Sequence, residues 1–214
     1  MTTYNDQLSR YVADLFVKED AALRAAREDS VKHGLPAISI QPEEGRFLQF
    51  VVRASGVKKA VEIGTLGGYS GIWIARGLAP GGKLITLEQS EKHAAVAREH
   101  FLRAGVGDRV EVRVGDAHQT LPKVAAEGPF DFCFMDADKS GYDAYLTWAL
   151  TNVRPGGLIA AHNAFRGGDV LNKRGRDADT DAVRAANERF AREPRLLSTI
   201  FPAGDGTVIG VVAG

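Results

Sequence analysis

Cysteine is nearly absent from this sequence: Cys133 is the only one in 214 residues. No internal disulfide can form, and a reducing cytoplasm is the expected home. Neither sign of charge is in excess, since 27 Lys plus Arg balance 27 Asp plus Glu. No global field therefore draws the chain to nucleic acid or to an anionic membrane. No apolar run approaches the length needed to span a bilayer. The opening stretch MTTYNDQLSR is polar, so no signal peptide is expected. What is present, 44% apolar and 25% charged residues, is ordinary for a soluble globular protein, and the length suits one domain over 1–214.

Residues 4–30 read as helical, with Leu8, Tyr11, Val12, Leu15 and Phe16 at helical spacing, and Gly34-Leu35-Pro36 ends that region. A second helix is predicted from Pro42 to Ser55, and these helices over 4–55 are expected to pack on a sheet or on a partner copy. From there strands at 59–63, 83–88, 109–114, 130–135 and 156–161 alternate with helices at 69–78, 91–104, 117–126 and 142–152. Such alternation predicts an α/β fold, a parallel sheet with helices on both faces. The tail differs: residues 163–180 are polar, a helix follows at about 180–192, and strands at 196–201 and 207–212 flank Ala203-Gly204-Asp205-Gly206. That short turn predicts a hairpin, and so an antiparallel pair at the end of the sheet.

The most informative stretch is Val61-Glu62-Ile63-Gly64-Thr65-Leu66-Gly67-Gly68-Tyr69-Ser70, a strand that breaks into a glycine turn and restarts as a helix. Such a turn offers free backbone N–H groups to a ligand at the carboxyl end of a parallel strand. A dinucleotide fingerprint would need glycines at 64, 66 and 69, but Leu66 and Tyr69 stand there, which disfavours a nicotinamide-dependent dehydrogenase. Glu62 would repel phosphate and attract a cation. A small cationic nucleoside fits better, and S-adenosylmethionine is the candidate. Glu88 closes the second strand about 20 residues beyond the turn, where an acid can accept from both ribose hydroxyls; a solvated strand-end acid is the plainer reading. Asp116 or the Ala117 backbone, after the third strand, would mark the adenine edge.

A second signal is Phe130-Asp131-Phe132-Cys133-Phe134-Met135-Asp136-Ala137-Asp138-Lys139. An apolar strand delivers two carboxylates and a lysine to the same edge as the first turn. Asp136 as an oxygen ligand to a divalent cation, with Lys139 as proton acceptor, accounts for them. Asp138 as a helix N-cap is the alternative. His162 and Asn163 follow the fifth strand, where they could converge with Asp136 on one ion; a hydrogen-bonded histidine at a strand end is the plainer reading of His162. Arg166 lies in a loop that could hold an anionic or phenolic acceptor, or could be a solvated surface residue. Tyr142, His33, His93, His100 and His118 read as packing or surface residues, and Cys133 as core.

These motifs, VEIGTLGGYS, FMDADKSGY, RPGGLIAAHN and PAGDGT, are similar to those of the cation-dependent, S-adenosylmethionine-dependent O-methyltransferases of the caffeoyl-CoA and catechol type. The resemblance covers nearly the whole chain. It implies a Rossmann-like class I methyltransferase sheet of seven strands, mostly parallel with one antiparallel, usually in homodimers. It implies that Glu62, Gly64, Thr65 and Ser70, with Gly68 of the same turn, cradle the methionine part of the donor. It further implies Glu88 at the ribose, Ala117 at the adenine, Asp138 at the donor's amino group and a backbone contact from Ile40. Asp136 resembles the first metal ligand and Lys139 the catalytic base. One position departs from the pattern: the family has Asp-Asn after the fifth strand, and here it is His162-Asn163. Mg²⁺ prefers hard oxygen ligands, whereas imidazole suits softer metals. A softer metal, a weak or absent metal, and His162 acting as a base without metal all stay open, with a retained but altered metal site as the expectation.

The function expected is methyl transfer to a hydroxyl of a small catechol-like or phenolic acceptor. A tRNA wobble-uridine O-methyltransferase is an alternative, to which the basic run Lys173, Arg174 and Arg176 would contribute and which the neutral net charge disfavours. A donor-binding protein whose chemistry has decayed at His162 is the non-catalytic alternative.

Overall fold

The computed structural model describes residues 4–172 and 177–214; the basic run at 173–176 lies outside them. Seven strands form one sheet: β1 (Lys59–Ile63), β2 (Lys83–Glu88), β3 (Val110–Val114), β4 (Phe130–Met135), β5 (Val153–Ala161), β6 (Leu196–Phe201) and β7 (Thr207–Val212), in the order β3-β2-β1-β4-β5-β7-β6. β1 to β5 pair in parallel. The predicted hairpin forms, and β7 inserts between β5 and β6, antiparallel to both. β6 therefore runs with the first five strands, which leaves β7 as the single antiparallel strand.

Helices cover both faces, so strand residues of either parity are apolar. One layer packs Leu121 and Val124 of α6 (Ala117–Val124), Tyr145 and Leu146 of α7 (Tyr142–Asn152) and Phe190 of α8 (Ala178–Arg192) on Ile63, Cys133 and Met135. The other packs α2 (Ala21–Lys32), α3 (Pro42–Ala54), α4 (Tyr69–Gly77) and α5 (Glu91–Arg103) on Ala60, Phe132 and Phe134. Cys133 is fully buried, in agreement with its reading as core, and burial pushes its thiol up to about 12.

Two boundaries differ from the sequence expectation. The helical region at 4–30 is broken into α1 (Asp6–Phe16) and α2, because Asp20 caps α2 by accepting from the Leu23 N–H at 3.0 Å. An apolar stripe alone does not reveal such a break. β5 also begins earlier than 156: Val153 pairs with Phe130 and Leu158 with Phe132, so residues 154–157 bulge out of the ladder. Gly156, at φ +75°, makes that bulge possible.

α3 starts with Pro42 at its first position, and the Glu44 carboxylate reaches back to accept from the Gln41 N–H at 2.9 Å. It then packs on α4 through Gly45, where a Cβ would overlap the Trp73 ring. Gly45→Ala tests that contact. Helix propensity alone would favour Ala by about 1 kcal/mol, but overpacking a rigid indole costs about 1–3 kcal/mol. The variant is expected to unfold at lower denaturant concentration than the wild type; equal or higher stability would show that the interface yields freely.

Candidate active site

Strand register assembles the site before any side chain is considered. Ile63 pairs with both Leu87 and Met135, and Met135 with Ala161, so Gly64, Glu88, Asp136 and His162 leave the sheet side by side. The ladder continues one step beyond the strands, from Asp136 N–H to the Ile63 carbonyl (2.8 Å) and from His162 N–H to the Met135 carbonyl (3.0 Å). Strand order reverses between β1 and β4, which is where an open α/β sheet holds its ligand. A cavity of about 510 Å³ opens there.

At the β1 end, Gly64 (φ +99°) lies against the Asp136 backbone, where any Cβ would overlap the carbonyl. Gly68 (φ +84°) caps α4. Glu88 accepts from the turn's Leu66 N–H (2.8 Å) and Thr65 N–H (3.3 Å) and from Ser90 N–H (2.9 Å). It is therefore a ligand of the turn itself, not a solvated strand-end acid, and a carboxylate bound in this way has acceptor capacity to spare. Glu62 departs from the expected direct contact. It is fully buried and absent from the cavity wall, accepting from the Ser70 hydroxyl (2.6 Å) and the Thr86 hydroxyl (2.7 Å). It supports the turn from below, because β1 points its side chain into the α4 layer. Ile40, Gly64, Thr65, Ser70, Asp116 and Ala117 all line the cavity.

Asp138 also lines it, and its carboxylate accepts from Tyr145 Oη (2.5 Å) and Ser140 Oγ (2.9 Å) instead of capping a helix. Among the described residues the wall holds five carboxylates, from Glu88 to Asp179, against Lys139 and Arg166. A cationic ligand suits that balance.

Past β4, Lys139 Nζ sits 3.0 Å from Asp136 Oδ1 and donates to Tyr142 Oη at 2.9 Å. Tyr142 in turn donates to the His162 carbonyl (3.1 Å). The His162 ring is buried between two carboxylates, with Nε2 2.9 Å from Glu44 Oε1 and Nδ1 3.3 Å from Asp136 Oδ2. Burial alone would lower the imidazole's affinity for protons. The nearby Asp136 charge and the hydrogen bond to Glu44 outweigh it and raise His162 to about 10, although Nδ1 itself makes no hydrogen bond. Burial likewise raises Asp136, but His162 and Lys139 overcome it and hold the carboxyl down at about 2.

Asp136, His162 and Asn163, the expected metal-ligand set, are brought to one end of the sheet. His162 Nδ1 lies 3.3 Å from Asp136 Oδ2 without making a hydrogen bond, Asp136 Oδ1 pairs with Lys139, and the Asn163 amide nitrogen donates to Asp205 Oδ2 at 2.8 Å. Among the described residues no cluster of three metal-ligating His, Cys, Asp or Glu side chains occurs. The unpartnered His162 Nδ1 and Asp136 Oδ2 beside it are donors that suit a softer divalent ion better than Mg²⁺. Arg166 does line the cavity, held by Asp177 at 3.0 Å in a left-handed backbone conformation (φ +48°), so it is not a freely solvated arginine.

Comparison with known proteins agrees with this geometry. The O-methyltransferase family profile matches residues 13–211. The chain belongs to that O-methyltransferase family. It is 42% identical over 198 residues to a catechol O-methyltransferase of Niastella koreensis, covering 92% of this chain and 90% of that one. It is 44% identical over 189 residues to a catechol O-methyltransferase of Mycobacterium tuberculosis, covering 88% and 85%. Among solved structures, an O-methyltransferase from Bacillus cereus in complex with S-adenosylhomocysteine superposes with a TM-score of 0.87 at 42% identity, over 96% of this chain and 97% of that one.

Several residues of the enzyme's site were not legible in the sequence. Tyr142, read as packing, bridges Lys139 and β5. His100 is buried with Nδ1 2.8 Å from the Gly67 carbonyl, and His93 lies 3.4 Å from Glu88. Glu44 reaches His162 across 118 positions of sequence; only its place three residues into a helix start hinted that its carboxylate was fixed.

Buried Glu62 gives a measurable consequence. Burial raises its carboxyl to about 7, despite the Ser70 and Thr86 hydrogen bonds that lower it. The unfolded chain releases this proton near 4.5, so between those values the native state binds more protons and stability falls as pH rises. The wild-type unfolding free energy relative to Glu62→Gln should decline over that window by about 3 kcal/mol, at about 1.4 kcal/mol per unit. Denaturant titrations of both proteins from pH 4.5 to 8 measure it, and a flat difference would contradict the assignment.

Proposed function

We propose that this O-methyltransferase takes its methyl group from S-adenosylmethionine bound in the cavity over the β1 turn, and passes it to a hydroxyl of a catechol-type aromatic acceptor. The observation that carries this reading is the placement of Lys139 and Asp136 in the same cavity wall as the 64–70 turn and Glu88. The Bacillus cereus relative is described in complex with S-adenosylhomocysteine, and the two curated relatives act on catechol by name.

When bound, the donor supplies an electrophilic sulfonium methyl. The chain's own work begins with Glu62, Thr65 and Ser70, which hold the turn in shape, while the acid-rich wall favours a cation. Glu88 has the capacity to take ribose hydroxyls, and Asp116 and Ala117 stand where an adenine edge would meet α6. At the other end the acceptor must lose a proton, because a phenol of pKa about 10 is a poor nucleophile at neutral pH. Lys139 acts at that oxygen: as an ammonium it stabilises the phenolate, and as an amine it takes the proton. Arg166 adds positive charge on the acceptor side. Asp136 holds the Lys139 head group in line.

We also propose a homodimer. α1 buries none of its residues and leaves Tyr11, Leu15 and Phe16 60%, 52% and 63% exposed. Light scattering after size exclusion is expected to give twice the monomer mass, and a monomer at micromolar concentration would refute it.

Lys139→Met is expected to lower kcat with catechol by about 10²–10⁴-fold while leaving S-adenosylhomocysteine affinity unchanged by calorimetry. Full turnover in that variant would remove Lys139 from the chemistry, and failure of the wild type to bind S-adenosylhomocysteine would remove the donor.

A further inference from the structure

Asp136, Lys139 and Tyr142 follow one another at intervals of three. A tight 3₁₀ turn, Lys139–Gly141, leads into α7 at Tyr142, and side chains three apart stack on such a turn. Lys139 Nζ accordingly donates to Asp136 Oδ1 at 3.0 Å on one side and to Tyr142 Oη at 2.9 Å on the other. The tyrosine is buried, and Nζ also lies 4.9 Å from the centre of its ring. Its hydroxyl hydrogen is committed to backbone carbonyls, that of His162 at 3.1 Å and that of Met135 at 3.4 Å. The oxygen therefore turns a lone pair to the lysine. Those carbonyls stand at the ends of β4 and β5, so the phenol is anchored on the sheet itself.

A lysine nitrogen is tetrahedral: one direction belongs to its own carbon, and three are left for partners. Asp136 and Tyr142 occupy two of those three, which fixes the last. Among the described residues no other group bonds Nζ, and Lys139 lines the cavity. In the ammonium the last direction carries an N–H, and in the free amine it carries the lone pair. Both forms thus present their working group at one point. The amine takes a proton there from an acceptor hydroxyl, whose electron pair stays on oxygen for the incoming methyl, and the ammonium then holds what remains. With Asp136 as its only fixed point, the head group would swing and that direction would sweep an arc.

We propose that Tyr142 is the positioning residue of Lys139: its hydroxyl, held by the two carbonyls, is the second fixed point that aims the lysine's last direction at the acceptor oxygen. The proposal rests on the reading above, in which Lys139 acts at that oxygen. It also accounts for a buried hydroxyl at a position where packing alone would be met by Phe.

Tyr142→Phe keeps the ring and removes the oxygen. Its kcat with catechol is expected to fall about 10²-fold, the cost of misplacing a reacting group by an ångström, with the KM for S-adenosylmethionine unchanged. In a Lys139→Met background the same substitution is expected to cause no further loss, because it acts through the lysine. A merely structural tyrosine would cost the same factor in both backgrounds. A crystal structure of the wild type with S-adenosylhomocysteine and catechol is expected to show one catechol oxygen on Nζ, with Asp136 and Tyr142 still in place, and this measurement decides even where the Phe variant does not fold. Crystals of Tyr142→Phe are expected to show Nζ in more than one position. Undiminished turnover in Tyr142→Phe, an equal loss in both backgrounds, or a catechol oxygen that displaces Tyr142 from Nζ would each overturn the proposal. Failure of the underlying reading looks different: Lys139→Met would turn over as fast as the wild type, or the catechol oxygens would lie away from Nζ altogether, and Tyr142 would then have nothing to aim.

Discussion

Everything at the active rim depends on how closely β1 and β4 approach where the strand order turns back on itself. Gly64 leaves β1 with a positive φ and presses on the Asp136 backbone, with no room for a side chain. That approach opens the crevice, because chains leaving on opposite sides of the switch point diverge above it. It also brings the β1 turn and the post-β4 acids into one cavity, so two functions that need proximity, holding a donor and activating an acceptor, share a wall. A cation-friendly floor follows from the same geometry, since β2 ends in Glu88 and β4 leads into Asp136 at the same height.

Burial decides what those acids do. Glu62 and Asp136 are neighbours at the sheet edge, yet they differ in the direction of their proton affinity. Glu62 meets only neutral hydroxyls and is pushed up to about 7, whereas Asp136 meets His162 and Lys139 and is held at about 2. One is a support whose charge is costly, and the other is a permanent anion that orients a lysine. Neither difference is visible from residue type, because both are carboxylates one step from the end of a buried strand.

Much of the architecture was legible in the sequence. The alternation of strand and helix, the glycine turn at 64–68 and the short 203–206 turn each reflect local chemistry, namely apolar runs, positive-φ glycines and polar punctuation, and each element stands where that chemistry places it. The resemblance supplied what local pattern could not, a single antiparallel strand among seven, while the insertion of β7 between β5 and β6 was seen only in the structure, since a hairpin signal does not say which of its strands joins the sheet first. The break between α1 and α2 was hidden because their apolar residues keep a common spacing across it.

The limit of the sequence lies at position 162. A histidine after β5 reads equally as a metal ligand, a base or a packed ring, and the choice rests on what stands at its two nitrogens. Residue order determined that a donor turn, a rim of acids and a lysine exist, because strands of this length in a parallel sheet must end on one edge. Only tertiary structure decided that Glu44, from a helix far away in the chain, meets that ring at Nε2. Charge state is set by neighbours in space, and packing of α3 on the sheet is what chose them.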